Sequence, residues 1–177
     1  MTFRYLAPLI AFAVLILVFV IGLTLDPREL PSPFLLKPAP VFELPSLREP
    51  ERRVGSANYR GRMALVNIWA TWCVGCRQEH DYLMQLAARD AIDIYGINWR
   101  DNRPDALRWL QQFGDPYVFS AFDADGRVGI DWGVYGAPET FLIGADGIVL
   151  HKHLGPLDES VWQRDFVPLI SAGSPAP

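Results

Sequence analysis

Two cysteines join a strong strand signal to a helix signal in the segment Trp69-Ala70-Thr71-Trp72-Cys73-Val74-Gly75-Cys76-Arg77-Gln78-Glu79-His80. Residues 64–69 form an apolar run that is typical of a buried strand. Residues 78–88 carry apolar side chains at helical spacing, which predicts a helix with one buried face. We therefore expect Cys73 and Cys76 to lie where a strand ends and a helix begins.

The signals downstream of the cysteines alternate between strand and helix. Residues 92–97 predict a second strand, and residues 104–113 predict a helix with proline in its first turn. Residues 140–150 predict a β-hairpin around an Asp-Gly turn. Asp158 is expected to cap a last helix that runs to residue 169. This order predicts an α/β fold with a central mixed sheet and flanking helices.

A Cys-x-x-Cys pair is typical of either half a zinc site or a redox centre. The chain has only two cysteines, so a zinc site would need histidines, and the formal set is Cys73, Cys76, His151 and His153. We predict no metal site, since His80 is one turn beyond Cys76 and would be recruited more naturally. His151 and His153 share one face of a strand, where we expect them to meet solvent, and we expect His80 on the helix surface.

The redox interpretation assigns each cysteine a step. Cys73 is expected to be exposed at a helix N-terminus, where unpaired N–H groups stabilise a thiolate, and it is the predicted nucleophile. Cys76, one turn further in, is expected to be shielded and to attack the resulting mixed disulfide. If Glu79 is buried, its raised pKa would let it take the proton of Cys76; the alternative is an exposed helix carboxylate. The dithiol carries both electrons, so we predict no other cofactor.

The N-terminal segment is apolar and the rest of the chain is acidic. Residues 6–25 contain no charged side chain, which predicts a membrane anchor over residues 1–25, with a cleaved signal peptide as the alternative. Arg4 on the N-terminal flank favours a cytoplasmic N-terminus, which in a bacterium puts the globular part in the periplasm. Beyond residue 25 the chain has 15 basic and 20 acidic residues, which argues against nucleic-acid binding.

Composition also divides the rest of the chain. Residues 26–40 are rich in proline, which predicts an extended tether. Residues 41–170 hold the alternating pattern and form the predicted domain. Residues 171–177 are small residues and proline, which predicts a flexible tail.

Two motifs together resemble a known family. The cysteine stretch looks like the active site of thioredoxin-fold proteins. With Gly133-Val134-Tyr135-Gly136-Ala137-Pro138-Glu139-Thr140-Phe141-Leu142-Ile143, it resembles the membrane-anchored thiol:disulfide interchange proteins of cytochrome c biogenesis, the CcmG/DsbE family. The likeness runs from the anchor to about residue 170. It implies a thioredoxin-like fold behind one N-terminal transmembrane helix, and the activity of a thiol–disulfide oxidoreductase that reduces protein disulfides.

The resemblance also implies a substrate-binding surface. Pro138 is expected to be a cis-proline facing the cysteine pair, and Ala137 to present its backbone to an extended substrate segment. Glu139, with Glu79, is expected to form an acidic rim that selects partners. Trp72 is expected to cover the cysteine pair, with a packing role as the alternative.

The partners implied by the resemblance are apocytochrome c or a thiol protein of cytochrome c maturation, and a membrane electron donor that re-reduces the dithiol. A general periplasmic reductase and a non-catalytic apocytochrome- or haem-binding module remain the alternatives. The sequence departs from the family pattern at two places. Val74-Gly75 stands between the cysteines where many relatives have a proline, and Asn67 stands where ordinary thioredoxin has a buried aspartate.

Overall fold

The computed structural model describes residues 3–24 and 35–173. The first part is a single helix, α1, over Phe3–Thr24. Within the described residues, no helix combines the length and the apolar character that crossing a bilayer requires, so the membrane span expected over residues 1–25 is not confirmed. Much of the predicted tether and most of the predicted tail lie outside the described residues.

The second unit is built on a five-stranded mixed sheet in the order β5-β4-β3-β6-β7. The central strand β3 pairs in parallel with β4 and antiparallel with β6, which confirms the predicted mixed α/β sheet. A separate two-stranded sheet, β1-β2, precedes it. The elements of this unit are β1 Glu43–Pro45, β2 Arg53–Gly55, β3 Ala64–Trp69, α2 Val74–Ala88, β4 Asp93–Trp99, α3 Arg103–Phe113, β5 Phe119–Asp123, α4 Arg127–Asp131, β6 Glu139–Ile143, β7 Val149–Leu154, α5 Glu159–Val161, the π-helical turn Trp162–Phe166 and α6 Val167–Gly173.

The strand β3 explains how the site is positioned. Because side chains alternate along a strand, Leu65 and Trp69 enter the core on one face of the sheet, with Cys73 and Cys76. Ala64, Val66 and Ile68 enter the core on the opposite face. Asn67 is two residues from both Leu65 and Trp69, so its polar side chain projects from the same face of the sheet, which α2 covers.

Several elements differ from those that periodicity predicts. Apolar spacing alone indicates a helix only from residue 78, but α2 begins at Val74, as expected from a helix N-terminus at Cys73. Sγ of Cys73 caps it by accepting the N–H of Cys76. The strand β5 and the helix α4 were not predicted, since five residues each are too few for a periodic pattern to stand out.

The segment just before β1 is part of the packed unit. Leu36 N–H donates to Val149 O at 2.8 Å, and Val149 N–H donates to Lys37 O at 2.9 Å. Ala39 N–H donates to Gly147 O at 2.9 Å. Residues 36–39, which composition assigns to the tether, therefore run beside β7 and extend the packed unit upstream of residue 41.

Candidate active site

Cys73 and Cys76 form a disulfide at the N-terminus of α2, with their Cα atoms 5.3 Å apart. The N–H of Cys76 donates to Sγ of Cys73 at 3.0 Å. This donor and the positive end of the helix stabilise a thiolate at Cys73 once the pair is reduced. Cys73 is only 5% exposed and Cys76 only 2%, so in the oxidised form Cys73 is nearly as buried as its partner, contrary to the expectation of an exposed nucleophile.

The peptide bond between Ala137 and Pro138 is cis, as the resemblance implies. A Cβ on Gly75 would come within 2.8 Å of Cδ of Pro138 and 3.3 Å of Cγ of Pro156. Gly75 therefore lets two proline rings lie directly against the segment between the cysteines. This contact gives a physical reason for glycine within Val74-Gly75, and it brings the two sequence motifs together.

Glu79 is on the buried face of α2, one turn beyond Cys76, and is only 1% exposed. The alternative that it is an exposed carboxylate on the helix surface is therefore wrong. Its Oε1 accepts a hydrogen bond from Nδ2 of Asn67 at 2.8 Å, and its Oε2 accepts one from the N–H of Leu157 at 2.8 Å. Burial raises the pKa of Glu79 to about 7, although both hydrogen bonds favour its charged form. A carboxyl with this pKa can exchange a proton at neutral pH.

Asn67 is held by two further hydrogen bonds that the sequence pattern does not indicate. The Tyr117 hydroxyl donates to Oδ1 of Asn67 at 2.8 Å, and Nδ2 of Asn67 also donates to Oγ1 of Thr140 at 3.0 Å. Burial raises the pKa of Tyr117 well above its ordinary value, so its hydroxyl stays protonated as a donor. Tyr117 therefore fixes the amide with its NH₂ group toward Glu79. Spacing along the chain does not predict the contact of Tyr117 with Asn67, because the two residues are 50 positions apart and meet only through the fold.

Glu139 does not lie on an acidic rim. It is buried, and its Oε1 accepts the N–H groups of Tyr135 at 2.8 Å and Gly136 at 3.2 Å. Its Oε2 lies 2.9 Å from Nζ of Lys152, which also donates to Gly133 O at 2.8 Å. Glu139 thus holds the loop before the cis-proline in place. Since Glu79 is buried as well, neither carboxylate of the expected rim faces solvent.

Apolar side chains flank the cysteine motif and the cis-proline loop at the surface. Trp72 is 53% exposed, its indole N–H donates to Arg100 O at 3.1 Å, and Val74 and Tyr135 are exposed too. A shallow depression of about 270 Å³ lies beside Ala137 and the cis-proline. Such a surface can receive an extended apolar segment.

The histidines do not lie as expected. His80 is buried rather than on the helix surface, with Nε2 3.2 Å from Gly114 O. His151 and His153 are half-buried, and burial lowers the pKa of both imidazoles. They lie near Asp165, whereas both cysteines are held in the disulfide. Among the described residues, the four-ligand set of two cysteines and two histidines is therefore not assembled.

Comparison with known proteins agrees with this geometry. The redoxin family profile matches residues 36–165. The thiol:disulfide interchange protein DsbE of Allochromatium vinosum is 48% identical over 168 residues, which cover 95% of this chain and 93% of that protein. The chain belongs to the DsbE family. The DsbE of Pseudomonas aeruginosa is also 48% identical, over 93% of this chain and 91% of its own length. A crystal structure of a Chlorobium tepidum protein described as a putative DsbE is similar at 28% identity with a TM-score of 0.66, over 77% of this chain and 96% of that one.

Membership in the DsbE family defines the activity class. The fold is thioredoxin-like, and the chain is a thiol–disulfide oxidoreductase of the interchange type. The disulfide at the start of α2, which encloses the Gly75 that lies against the cis-proline, is the group that can perform such an exchange.

Proposed function

We propose that this DsbE-family protein reduces disulfides of apocytochrome c, or of a thiol protein that matures it, before haem is attached. The observation that carries the proposal is the contact of Gly75 with the cis-proline Pro138, because a substrate segment paired with the backbone before this proline would lie beside the disulfide. The resemblance of both motifs to the cytochrome c biogenesis family supports the choice of substrate.

In the reductive cycle, the Cys73 thiolate attacks one sulfur of the substrate disulfide. One sulfur–sulfur bond forms, the substrate's bond breaks, and the first substrate cysteine leaves as a thiolate. The Cys76 thiolate then attacks Sγ of Cys73 and releases the second substrate thiolate. The substrate gains two electrons, and the protein is left with the Cys73–Cys76 disulfide seen here.

The second step needs a group that removes the proton of Cys76. Glu79 is one turn beyond Cys76 on the buried face of α2, and its pKa of about 7 suits a base that works at neutral pH. The N–H donors of Asn67 and Leu157 hold its carboxylate in place. The proton then passes to the departing substrate thiolate, so the step is balanced.

Substrate contact follows from the exposed surface near the disulfide. We expect the backbone of Ala137 to pair with an extended segment, while the exposed side chains of Trp72, Val74 and Tyr135 offer apolar contacts nearby. Partner choice then depends on shape and apolar contact at this surface, because the predicted acidic rim is buried.

The cellular setting is part of the same proposal. The uncharged run of residues 6–25 supports an N-terminal anchor in a bacterial inner membrane, with the redox domain in the periplasm. A membrane electron donor would return two electrons to the disulfide after each cycle.

Trapping tests the proposal directly. In full-length Cys76→Ser, expressed in its own membrane, the Cys73 mixed disulfide cannot be resolved and the bound protein can be identified by mass spectrometry. We expect c-type apocytochromes or their maturation partners. The Cys73→Ser, Cys76→Ser double variant is the control, because it cannot form the covalent intermediate.

The other outcomes each favour an alternative. A long series of unrelated exported proteins would demote the chain to a general periplasmic reductase. Apocytochrome or haem retained equally by the double variant would indicate a non-catalytic binding module. Either result contradicts the specific reductase proposed here.

A further inference from the structure

A cluster of metal-ligating side chains lies outside the disulfide site. His151 and His153 are alternate residues of β7, so both project from the same face of the strand. Asp165, from the π-helical turn Trp162–Phe166, faces them. One ligand atom from each of the three side chains lies within 4.8 Å of the others.

The two imidazoles are held in place before any ligand binds. The rings of His151 and His153 both meet the ring of Phe166 edge-on, with centroids 5.0 and 6.5 Å away. Nε2 of His153 lies 3.3 Å from Pro156 O, which leaves Nδ1 available. Nε2 of His151 is buried and has no hydrogen-bond partner among the described residues. A buried polar atom without a partner is uncommon, and a ligand would satisfy it.

We propose that His151, His153 and Asp165 form a binding site for a zinc ion or a similar divalent transition-metal ion. Two imidazole nitrogens and a carboxylate oxygen are donors that zinc accepts at about 2.0–2.2 Å, with water in a fourth position. The three donor atoms lie within 4.8 Å of one another, so small rotations of their side chains would let all three reach one ion at that metal–ligand distance. Calcium and magnesium fit this site poorly because they prefer all-oxygen shells.

The ion pair that Asp165 now makes does not block the site. Nε and Nη2 of Arg164 donate to its two carboxylate oxygens at 2.8 and 2.7 Å. The Arg164 side chain is largely exposed. Since an exposed ion pair contributes little to stability, exchanging Arg164 for a metal ion costs little.

The proposed site is separate from the dithiol. Zinc also binds thiolates, but in the oxidised protein both cysteines are bonded in the disulfide and cannot bind it. Zinc binding to the oxidised protein therefore reports on the histidine site without interference from the cysteines. Binding would tie β7 to the C-terminal helical segment.

Isothermal titration with zinc tests the site. The oxidised full-length chain, purified without a histidine tag, is titrated beside His151→Ala, His153→Ala and Asp165→Asn. We expect one zinc ion per chain, with an affinity that falls by at least about tenfold in each variant, since even outer-shell changes cost 10–100-fold. The control is Asp131→Asn, which removes an exposed carboxylate of α4 outside the cluster.

Thermal unfolding without zinc separates a lost ligand from a lost fold. A variant that melts like the wild type but no longer binds zinc supports the site, and so does a zinc-dependent rise in melting temperature confined to the wild type and the Asp131→Asn control. If the histidine variants unfold, Asp165→Asn alone decides the outcome. Absence of saturable binding to the oxidised wild type, or equal affinity in all variants, would overturn the proposal.

Discussion

The side-chain amide of Asn67 donates a hydrogen bond of 2.8 Å to Oε1 of Glu79, which links the central strand to the helix that carries both cysteines. Asn67 stands where ordinary thioredoxins are expected to have an acid, and an amide takes up no proton at neutral pH. The structure therefore combines a proton-exchanging carboxyl on α2 with a fixed donor on β3. Burial and these donors act in opposite directions on the pKa of Glu79, and burial dominates.

The raised pKa of Glu79 predicts that stability falls as pH rises. The Glu79 carboxyl has a pKa of about 7 in the folded protein and an ordinary pKa of 4.5 in the unfolded chain. The folded protein is therefore stabilised by holding the proton. This stabilisation is complete below pH 4.5 and is lost as pH rises through about 7. The full difference corresponds to about 3 kcal/mol of unfolding free energy. Denaturant unfolding of the oxidised chain between about pH 4 and pH 8 measures this difference.

Glu79→Gln is the matched variant for this measurement. A glutamine resembles the protonated acid in shape and cannot ionise, so the part of the pH slope that Glu79 causes should disappear. Asp123, which is also buried with a raised pKa, titrates in both proteins and cancels from their difference. Parallel pH profiles for wild type and variant would contradict the raised pKa.

The hydroxyl of Tyr117 is predicted to set the orientation of the Asn67 amide. Tyr117→Phe leaves Oδ1 of Asn67 buried without its 2.8 Å donor, which should cost about 1–3 kcal/mol of unfolding free energy. A less constrained amide also stabilises the Glu79 carboxylate less, so the pKa of Glu79 should rise and the pH profile should shift upward. Denaturant unfolding at several pH values reports both effects.

Tyr135→Phe is the control, because that tyrosine is exposed. It should leave the stability and the pH profile unchanged. If Tyr117→Phe behaved like this control, the hydroxyl would have no part in holding the amide.

Local pattern was enough to predict much of the fold. The apolar run over residues 64–69 and the helical spacing after the cysteines predict β3 and most of α2, and both are confirmed. The short elements β5 and α4 were missed because five residues carry too little periodicity.

The site was predicted less completely, because its contacts join distant parts of the chain. Asn67 faces Thr140 across the β3–β6 register, 73 residues apart, and nothing local to either residue indicates that pairing. The family resemblance implies that Glu139 lies at the surface, in an acidic rim, but the structure buries it. Its burial depends on Lys152, which the β6–β7 register brings beside it.

Gly75 is predicted to be essential for the contact with the cis-proline. Gly75→Ala would place a Cβ 2.8 Å from Cδ of Pro138, so the start of α2 or the proline loop must move. We expect a loss of about 1–3 kcal/mol, as for other overpacked sites, and slower exchange. Denaturant unfolding and the rate of reduction of a model disulfide measure these effects.

Gly136→Ala is the matched control, since Gly136 lies in the loop that carries Pro138 and no atom lies within 4 Å of a Cβ added to it. It should retain nearly wild-type stability and rate. Equal behaviour of the two alanine variants would show that the close approach at Gly75 is not required.

The buried ion pair between Lys152 and Glu139 is predicted to hold the loop before the cis-proline. Both side chains are only 3% exposed, so Lys152→Met leaves Glu139 charged and unpaired and should cost about 3–5 kcal/mol of unfolding free energy. Adding Glu139→Gln removes that stranded charge and should restore most of the stability. It should not restore the exchange rate, because Gly133 O still lacks its Lys152 donor.

Arg127→Met is the control, because it breaks an exposed ion pair, that with Asp125, and should cost no more than about 1 kcal/mol of unfolding free energy. A double variant less stable than Lys152→Met would show that the pair acts other than by charge compensation.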